Sequence, residues 1–424
     1  MSGRGAWPAV ALCVAGAVAS CSPAGPRRGD GGAAGAAPSG ARDAGADGAA
    51  LGPAVAVGLS AGAARVTIDA DGALGMADPE RAGQERSVRA PCVATRAGSG
   101  VSVRCADGAR HESAAAMIRF RRLDGTPLRV DGREYDGEIL VRAGEDGLTT
   151  INTLALERYL LGVVPHEIGA RPAAEIEAVK AQAVAARTYA IAHRGRRAAL
   201  GFDYWGDVND QVYRGREGQD AVAARAVRET RGEILTHQGR PILAFYHSTC
   251  GGRTAAIDEV WRRGPLPYLR SVSDLREDGS AWCETSNRFR WSQRWSWDEL
   301  GGILERTIGL PRASLREVRV RSRTPSGRVS ELEIAGDGRR WTVFGDSLRW
   351  ALRPQAGRIL NSALIFDLEE GTDVHGRYLE VWGGGWGHGI GMCQVGAMAR
   401  ARAGQTYRRI LAAYYTGTDL ERTY

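Results

Sequence analysis

Glu167 ends a nearly uncharged run, YLLGVVPH (Tyr159–His166). A carboxyl beside so few charges is partly desolvated, which favours its protonated form near neutral pH. A protonated carboxyl at that pH is what a general acid for a glycosidic bond requires. The plainer reading is a glutamate drawn to the N-terminus of the next helix by the helix dipole. Downstream, EAVKAQAVAARTYA (Glu177–Ala190) carries Lys180, Gln182, Arg187 and Tyr189. Lys180 and Arg187 are two helical turns apart and share a face. That face could orient a ligand, or it could be solvated, with a Glu177–Lys180 pair worth about 0.2–0.5 kcal/mol. Lys180 is also the lone lysine among 56 basic residues. Ammonium and guanidinium are not interchangeable in size or geometry, so the position could exclude arginine.

Further along, DQVYRG (Asp210–Gly215) is a polar and aromatic loop of the kind that meets sugars. HSTCGGRT (His247–Thr254) sets His247, Ser248 and Thr249 in a row, but it is not the G-x-S-x-G elbow of a serine nucleophile. His247, Cys250, Cys283, His388 and Cys393 are zinc-ligand types, although their spacing fits no compact zinc motif. A Cys250–Cys283 disulfide is the favoured alternative. Finally, VWGGGWGHGIGMCQVGA (Val381–Ala397) surrounds His388 with glycines. Glycine is costly to order, so such a run suggests a backbone that must pass close to something. That partner could be a substrate or the small-residue face of a helix.

These residues need elements to hold them. Leu156, Tyr159, Leu160, Val163 and Val164 recur with helical period, and Pro165 is expected to stop that helix. Glu167 then falls on a short link. A second helix is expected from after Pro172 to about His193, with Ile176, Val179, Ala183, Ala186 and Ala190 inward. Residues 54–142 read as short strands and turns. Glu317–Phe344 reads as a three-strand meander, and Met392–Ala403 as a helix. The expected class is α+β: a helix pair carrying Glu167 on mixed or antiparallel sheets, with a β-rich N-terminal region.

The chain's 424 residues suit one large or two modest domains. A net charge of +7 without a basic, aromatic-interleaved stripe gives no sign of nucleic-acid binding. The N-terminus has Arg4, then an apolar run from Ala6 to Ala19, too short for a comfortable membrane span and suited to a signal peptide. Val18-Ala19-Ser20-Cys21 resembles a lipobox, which would make Cys21 a lipidated first residue and the protein an exported envelope lipoprotein. The expected organisation is a signal peptide at 1–20, a flexible linker at 21–53, a β-rich region at 54–146 and a catalytic domain at 147–424, with a meander inserted at about 315–345. Cys92 and Cys105 flank a turn, and a disulfide between them suits an oxidising compartment.

LERYLLGVVPHEI, AVKAQAVAARTYA, DQVYRG, HSTCGGRT and GWGHGIGMCQVGA occur in this order between Leu156 and Ala397. Together they resemble the SpoIID/LytB-type sporulation and autolysin-modifier domain. The resemblance implies a peptidoglycan lytic transglycosylase, cleaving between N-acetylmuramic acid and N-acetylglucosamine to leave a 1,6-anhydro end. It implies Glu167 as the single acid/base and no required cofactor, zinc being a secondary option. Lys180, Gln182, Arg187, Tyr189, Gln211, Tyr213, Ser248, Thr249, His388 and Gln394 are the implied substrate contacts. The competing implication is a non-catalytic peptidoglycan-binding module that enhances a cell-wall amidase. Some members carry a Cys/His zinc cluster just before the Gln-x-Tyr motif. Here no Cys or His lies between Gly201 and Gln211, so that site is not carried over.

Overall fold

A computed structural model describes residues 51–79, 85–113, 116–355 and 358–424. Cys21 and the expected signal peptide lie outside the described residues. Among those described, no helix is long and apolar enough to cross a membrane.

The N-terminal strands alternate inward and outward. In Met117–Arg122 and Glu138–Gly144, Ile118, Phe120, Ile139 and Val141 are buried. Their antiparallel register sets Ile139 opposite Phe120 and Val141 opposite Ile118. This period of two buries one face of a sheet. Seven strands form that sheet, in the order Tyr204–Trp205, Ala54–Ala63, Gly147–Ala155, Glu138–Gly144, Met117–Arg122, Ala73–Ala77, Arg86–Arg89. A six-stranded sheet, including Arg65–Asp69, Cys92–Ala97 and Gly100–Cys105, packs its Val66, Ile68, Ala94 and Val103 into the same core. Cys92 and Cys105 face each other across neighbouring strands and are disulfide-bonded.

The chain passes from Gly147–Ala155 straight into α1 (Leu156–Ile168). Leu156, Tyr159, Leu160, Val163 and Val164 are buried on it, each aliphatic side chain contributing about 1.5–3 kcal/mol. Pro165 does not stop this helix; it sits inside the last turn, and Glu167 lies on that turn, not on a link. Proline removes one N–H and crowds the carbonyl one turn back, but burial of Pro165 and Ile168 rewards continuing.

A 3-10 turn at Ala173–Glu175 leads into α2 (Ile176–Ala192). Almost every residue from Ala178 to Ala190 is buried, on all sides of the helix. Its neighbours are α1, α3 (Ala221–Glu229), α5 (Gln394–Arg402) and α6 (Tyr407–Tyr414). Small side chains let the central helix approach all of them closely. Asp220 caps α3 by accepting from the N–H groups of Val222 and Ala223.

A second core gathers Trp291, Trp295, Leu300, Leu304, Val318, Leu332, Ile334, Leu379 and Val381. It contains α4 (Trp297–Ile308), closed by a Ser296/Glu299 capping box, and two three-stranded antiparallel sheets. One sheet is the meander Glu317–Arg323, Val329–Gly336, Arg339–Phe344. The first core, by contrast, runs from Val55 through Cys283 and resumes at Ile390. It therefore crosses the expected 146/147 boundary, because Ala54–Ala63 pairs directly with Gly147–Ala155. The glycine loop is the chain's return from the second core to the first.

Candidate active site

The last turn of α1 presents Glu167 to the loop before α3. Its Oε1 accepts the backbone N–H of Val212 at 2.7 Å. The Tyr246 hydroxyl supplies a second hydrogen bond to the carboxyl. Part of the residue reaches solvent, yet the carboxyl itself lies deep among protein atoms, and burial raises its pKa to about 7 against the pull of both donors. No neighbouring carboxylate contributes to the shift.

A buried bracket fixes the donors. Gln211 donates to the Tyr246 hydroxyl at 3.0 Å and to the Ala186 carbonyl at 3.3 Å, and accepts from the Tyr159 hydroxyl at 3.2 Å. Asp210 accepts the Trp205 N–H and pairs with Arg196 and Arg197, anchoring the loop just before Gln211. Gln394, at the start of α5, donates to the Glu167 carbonyl at 3.0 Å and to Gln182 Oε1 at 3.2 Å. Gln182 Nε2 is buried without a partner.

Other sequence-selected residues lie elsewhere. Arg187 is fully buried and forks onto Glu157 at 2.7 and 2.8 Å. Lys180 bridges Glu177 and Glu229, each at 2.8 Å, holding α2 to α3. The Tyr213 hydroxyl donates to Asn152 at 2.7 Å while its ring packs beside Gly162, where a Cβ would lie 2.6 Å from it. Tyr189 stacks on His193 and bonds Asp210. Arg187 and Tyr213, being buried in these contacts, offer no face to an external ligand.

The glycine loop runs against Phe245–Cys250. Thr249 and Trp386 exchange backbone hydrogen bonds of 3.0 and 2.8 Å. Gly385 (φ +83°) and Gly391 (φ +68°) adopt left-handed conformations, and a Cβ would meet the Thr249 carbonyl at 2.6 Å or the Phe245 carbonyl at 2.0 Å. His388 accepts the Ile390 N–H at 3.0 Å and lies among Phe245, His247 and Trp261. Burial lowers its pKa to about 4, so it is neutral at physiological pH. Burial likewise holds His247 well below the usual range. Thr249 is buried and shares a 2.9 Å hydrogen bond with Ser286; Ser248 is half-buried beside it. Trp386 is exposed on the loop, with the Arg288 guanidinium 5.7 Å above its ring.

Sequence reasoning missed Tyr246 and the Val212 N–H. Strand alternation could have flagged Tyr246, since it places Tyr246 opposite in face to the buried His247. The expected Cys250–Cys283 disulfide is corrected: both are free thiols, with sulfurs 3.5 Å apart where a disulfide needs about 2.05 Å. His247 is not grouped with them. A cleft of about 740 Å³ is lined by Leu59, Asp131, Arg133, Tyr135, Arg216 and others. It includes neither Glu167 nor Tyr246.

Comparison with known proteins matches these parts. A family model described as Stage II sporulation protein covers residues 144–237, the segment holding α1, α2, Glu167 and Gln211. A domain of unknown function covers residues 275–391, the second core and most of the glycine loop. An uncharacterized protein of Brachyspira hyodysenteriae is 31% identical over 72% of this chain and 76% of its own length. Stage II sporulation protein D of Bacillus amyloliquefaciens is 30% identical, over 64% of this chain and 75% of its own length. The amidase enhancer of Bacillus subtilis is 29% identical over 62% of this chain, which spans only 40% of that longer protein.

Proposed function

This chain belongs to the stage II sporulation protein D family, and we propose that it acts on the bacterial cell wall as a peptidoglycan lytic transglycosylase with Glu167 as its acid/base. The observation that carries this reading is a lone buried carboxyl, with a pKa of about 7, held by two fixed donors and influenced by no second carboxylate. Hydrolytic glycosidases generally need two carboxylates. A transglycosylase needs one, because the nucleophile is the muramyl 6-hydroxyl, already tethered to the reacting sugar.

Protonated Glu167 gives its proton to the glycosidic oxygen as the C1–O bond breaks. The resulting carboxylate, stabilised by the Val212 N–H and the Tyr246 hydroxyl, takes the proton of the 6-hydroxyl as O6 closes on C1. The proton is thus returned and the acid regenerated without water. A pKa near 7 keeps both forms populated at neutral pH. The exposed Trp386 ring on the glycine loop offers a flat apolar surface of the kind that sugar rings stack on.

The test is mass spectrometry of purified glycan strands after incubation with the full chain. Anhydro-muramyl ends are expected, reduced about 10²–10⁴-fold by Glu167→Gln. Reducing ends would indicate hydrolysis and overturn the single-carboxylate mechanism. The similarity to an amidase enhancer favours a second reading, a glycan-binding module. In that case Glu167→Gln leaves any enhancement of amidase turnover intact and neither protein yields new glycan ends.

A further inference from the structure

Three cysteines and an aspartate converge beneath the loop that carries Ser248 and Thr249. The donor atoms of Cys250, Asp274, Cys283 and Cys393 all lie within 4.8 Å of one another, and all four side chains are buried. Cys250 Sγ is 3.5 Å from Cys283 Sγ and 3.2 Å from Asp274 Oδ2. We propose that these four residues bind one zinc ion in a closed, structural Cys₃Asp site. The inference does not rest on the glycan-cleaving reading.

The spacing is that of ligands around a shared centre. Tetrahedral zinc with Zn–S of about 2.3 Å and Zn–O of about 2.0 Å sets S···S at about 3.7 Å and S···O at about 3.5 Å. Three sulfurs with one hard oxygen suit zinc better than magnesium or calcium, which take oxygen ligands. A disulfide would use only two of the three sulfurs and would leave the third sulfur and Asp274 Oδ2 gathered at the centre with nothing to bind.

The surroundings support and orient the ligands, as the outer shell of a metal site does. Asp274 Oδ1 accepts from the Tyr414 hydroxyl at 2.9 Å and from Arg400 at 3.0 Å, which aims Oδ2 at the sulfurs. Backbone N–H groups point at sulfur: Cys250 to Cys393 Sγ at 3.2 Å, Gly252 to Cys250 Sγ at 3.4 Å and Gly396 to Cys393 Sγ at 3.4 Å. Three thiolates and a carboxylate around a divalent ion leave a net negative charge. The guanidinium groups of Arg290, Arg328 and Arg400 lie close enough to offset it.

The site joins segments far apart in sequence. Cys250 follows Thr249, Cys393 precedes the Gln394 that holds the Glu167 carbonyl, and Cys283 lies near the start of the second-core segment. A metal there would pin the chain leading into the second core and the glycine loop's exit to the acid site. Some binding free energy becomes folding free energy, as in other structural zinc sites.

The experiment is elemental analysis of the full chain purified without chelators, followed by removal of metal and titration with Zn²⁺ or Co²⁺. About one zinc per chain is expected, with a thiolate-to-cobalt charge-transfer band in the Co²⁺ form and a lower Tm after chelation. Cys283→Ser and Asp274→Asn should each weaken Zn²⁺ binding at least about ten-fold, whereas Cys92→Ser should leave it unchanged. If the cysteine variant fails to accumulate, the stoichiometry and cobalt spectrum of the wild type decide alone. The proposal is overturned by a chain that arrives metal-free and takes up neither ion when reduced. It is also overturned by a Cys250–Cys283 cross-link found on non-reducing peptide mapping, or by full metal content in Cys283→Ser.

Discussion

Helix α1 carries a glutamate at each end, and the two live in opposite electrostatic settings. Glu157, in the first turn, is buried against Arg187, whose guanidinium forks onto both carboxylate oxygens. The Gly232 N–H and the Tyr424 hydroxyl complete its shell. Arg187 spends its remaining donors on the Val227 and Glu233 carbonyls and on Thr230. Glu167, in the last turn, has no cation, only one N–H and one hydroxyl. One helix therefore ties one glutamate into a fixed ion-pair knot and leaves the other buried without a cation. Residue type and helix are the same; the counter-charge is what differs.

Removing the counter-charge from the first site is the harshest way to break that contrast. Arg187→Met leaves Glu157 buried and unpaired, at a cost of about 3–5 kcal/mol in urea unfolding. Arg187→Met with Glu157→Leu should recover most of this loss, since a well-packed apolar pair is often no worse than a buried ion pair. Equal stability of the single and double variants would show that the two residues are not a coupled unit.

What the sequence revealed follows the same line. The apolar period made α1 legible, and ordered motifs pointed to Glu167. From sequence Arg187 is a candidate ligand contact because it shares a helix face with Lys180. The alanines on every side of it argue otherwise: a helix small all round has neighbours all round, so its arginine must be buried and paired. That signal was present, but its partner, on another helix, was not visible. Pro165 looked like a stop because local rules cannot weigh the burial of Ile168. The cysteines were visible as a set, while Asp274, in an ordinary SVSDL stretch, becomes a neighbour only through folding. Trp282, Trp291, Trp295 and Trp297 lie close together in the sequence, but only folding shows that Trp291 and Trp295 belong to a second core.

The second contrast is thermodynamic. A carboxyl whose folded pKa is about 7, against 4.5 unperturbed, binds a proton more readily folded than unfolded. Its contribution to stability is full below pH 4.5 and is lost as pH rises through 7. Glu167→Gln removes that loss and keeps an oxygen for the Val212 N–H. The variant should therefore be more stable than wild type by up to about 3 kcal/mol at pH 8, with little difference near pH 4. Thermal unfolding across this range checks it. A Glu167→Gln variant that is less stable at pH 8 would mean that the carboxylate is well solvated and no different in kind from a surface glutamate.

The finest test separates burial from hydrogen bonding at Glu167. The Tyr246 hydroxyl donates to the carboxyl and so opposes the effect of burial. It is oriented by accepting from Gln211 Nε2 at 3.0 Å, and that amide keeps its bond to the Ala186 carbonyl if the hydroxyl is lost. Tyr246→Phe should thus raise the Glu167 pKa further, by about one unit or roughly 1 kcal/mol, without releasing the bracket. Carboxyl-carbon NMR titration reads this whether or not the protein cleaves glycan. Tyr159→Phe is the control, because its hydroxyl touches Gln211 Oε1 and shows no bond to Glu167; it should shift the titration less. An unmoved midpoint in Tyr246→Phe would assign the whole difference between the two glutamates of α1 to burial and the missing cation. A downward shift would mean that the vacated space admits water to the carboxyl, making the tyrosine ring, and not its hydroxyl, the part that keeps Glu167 an acid.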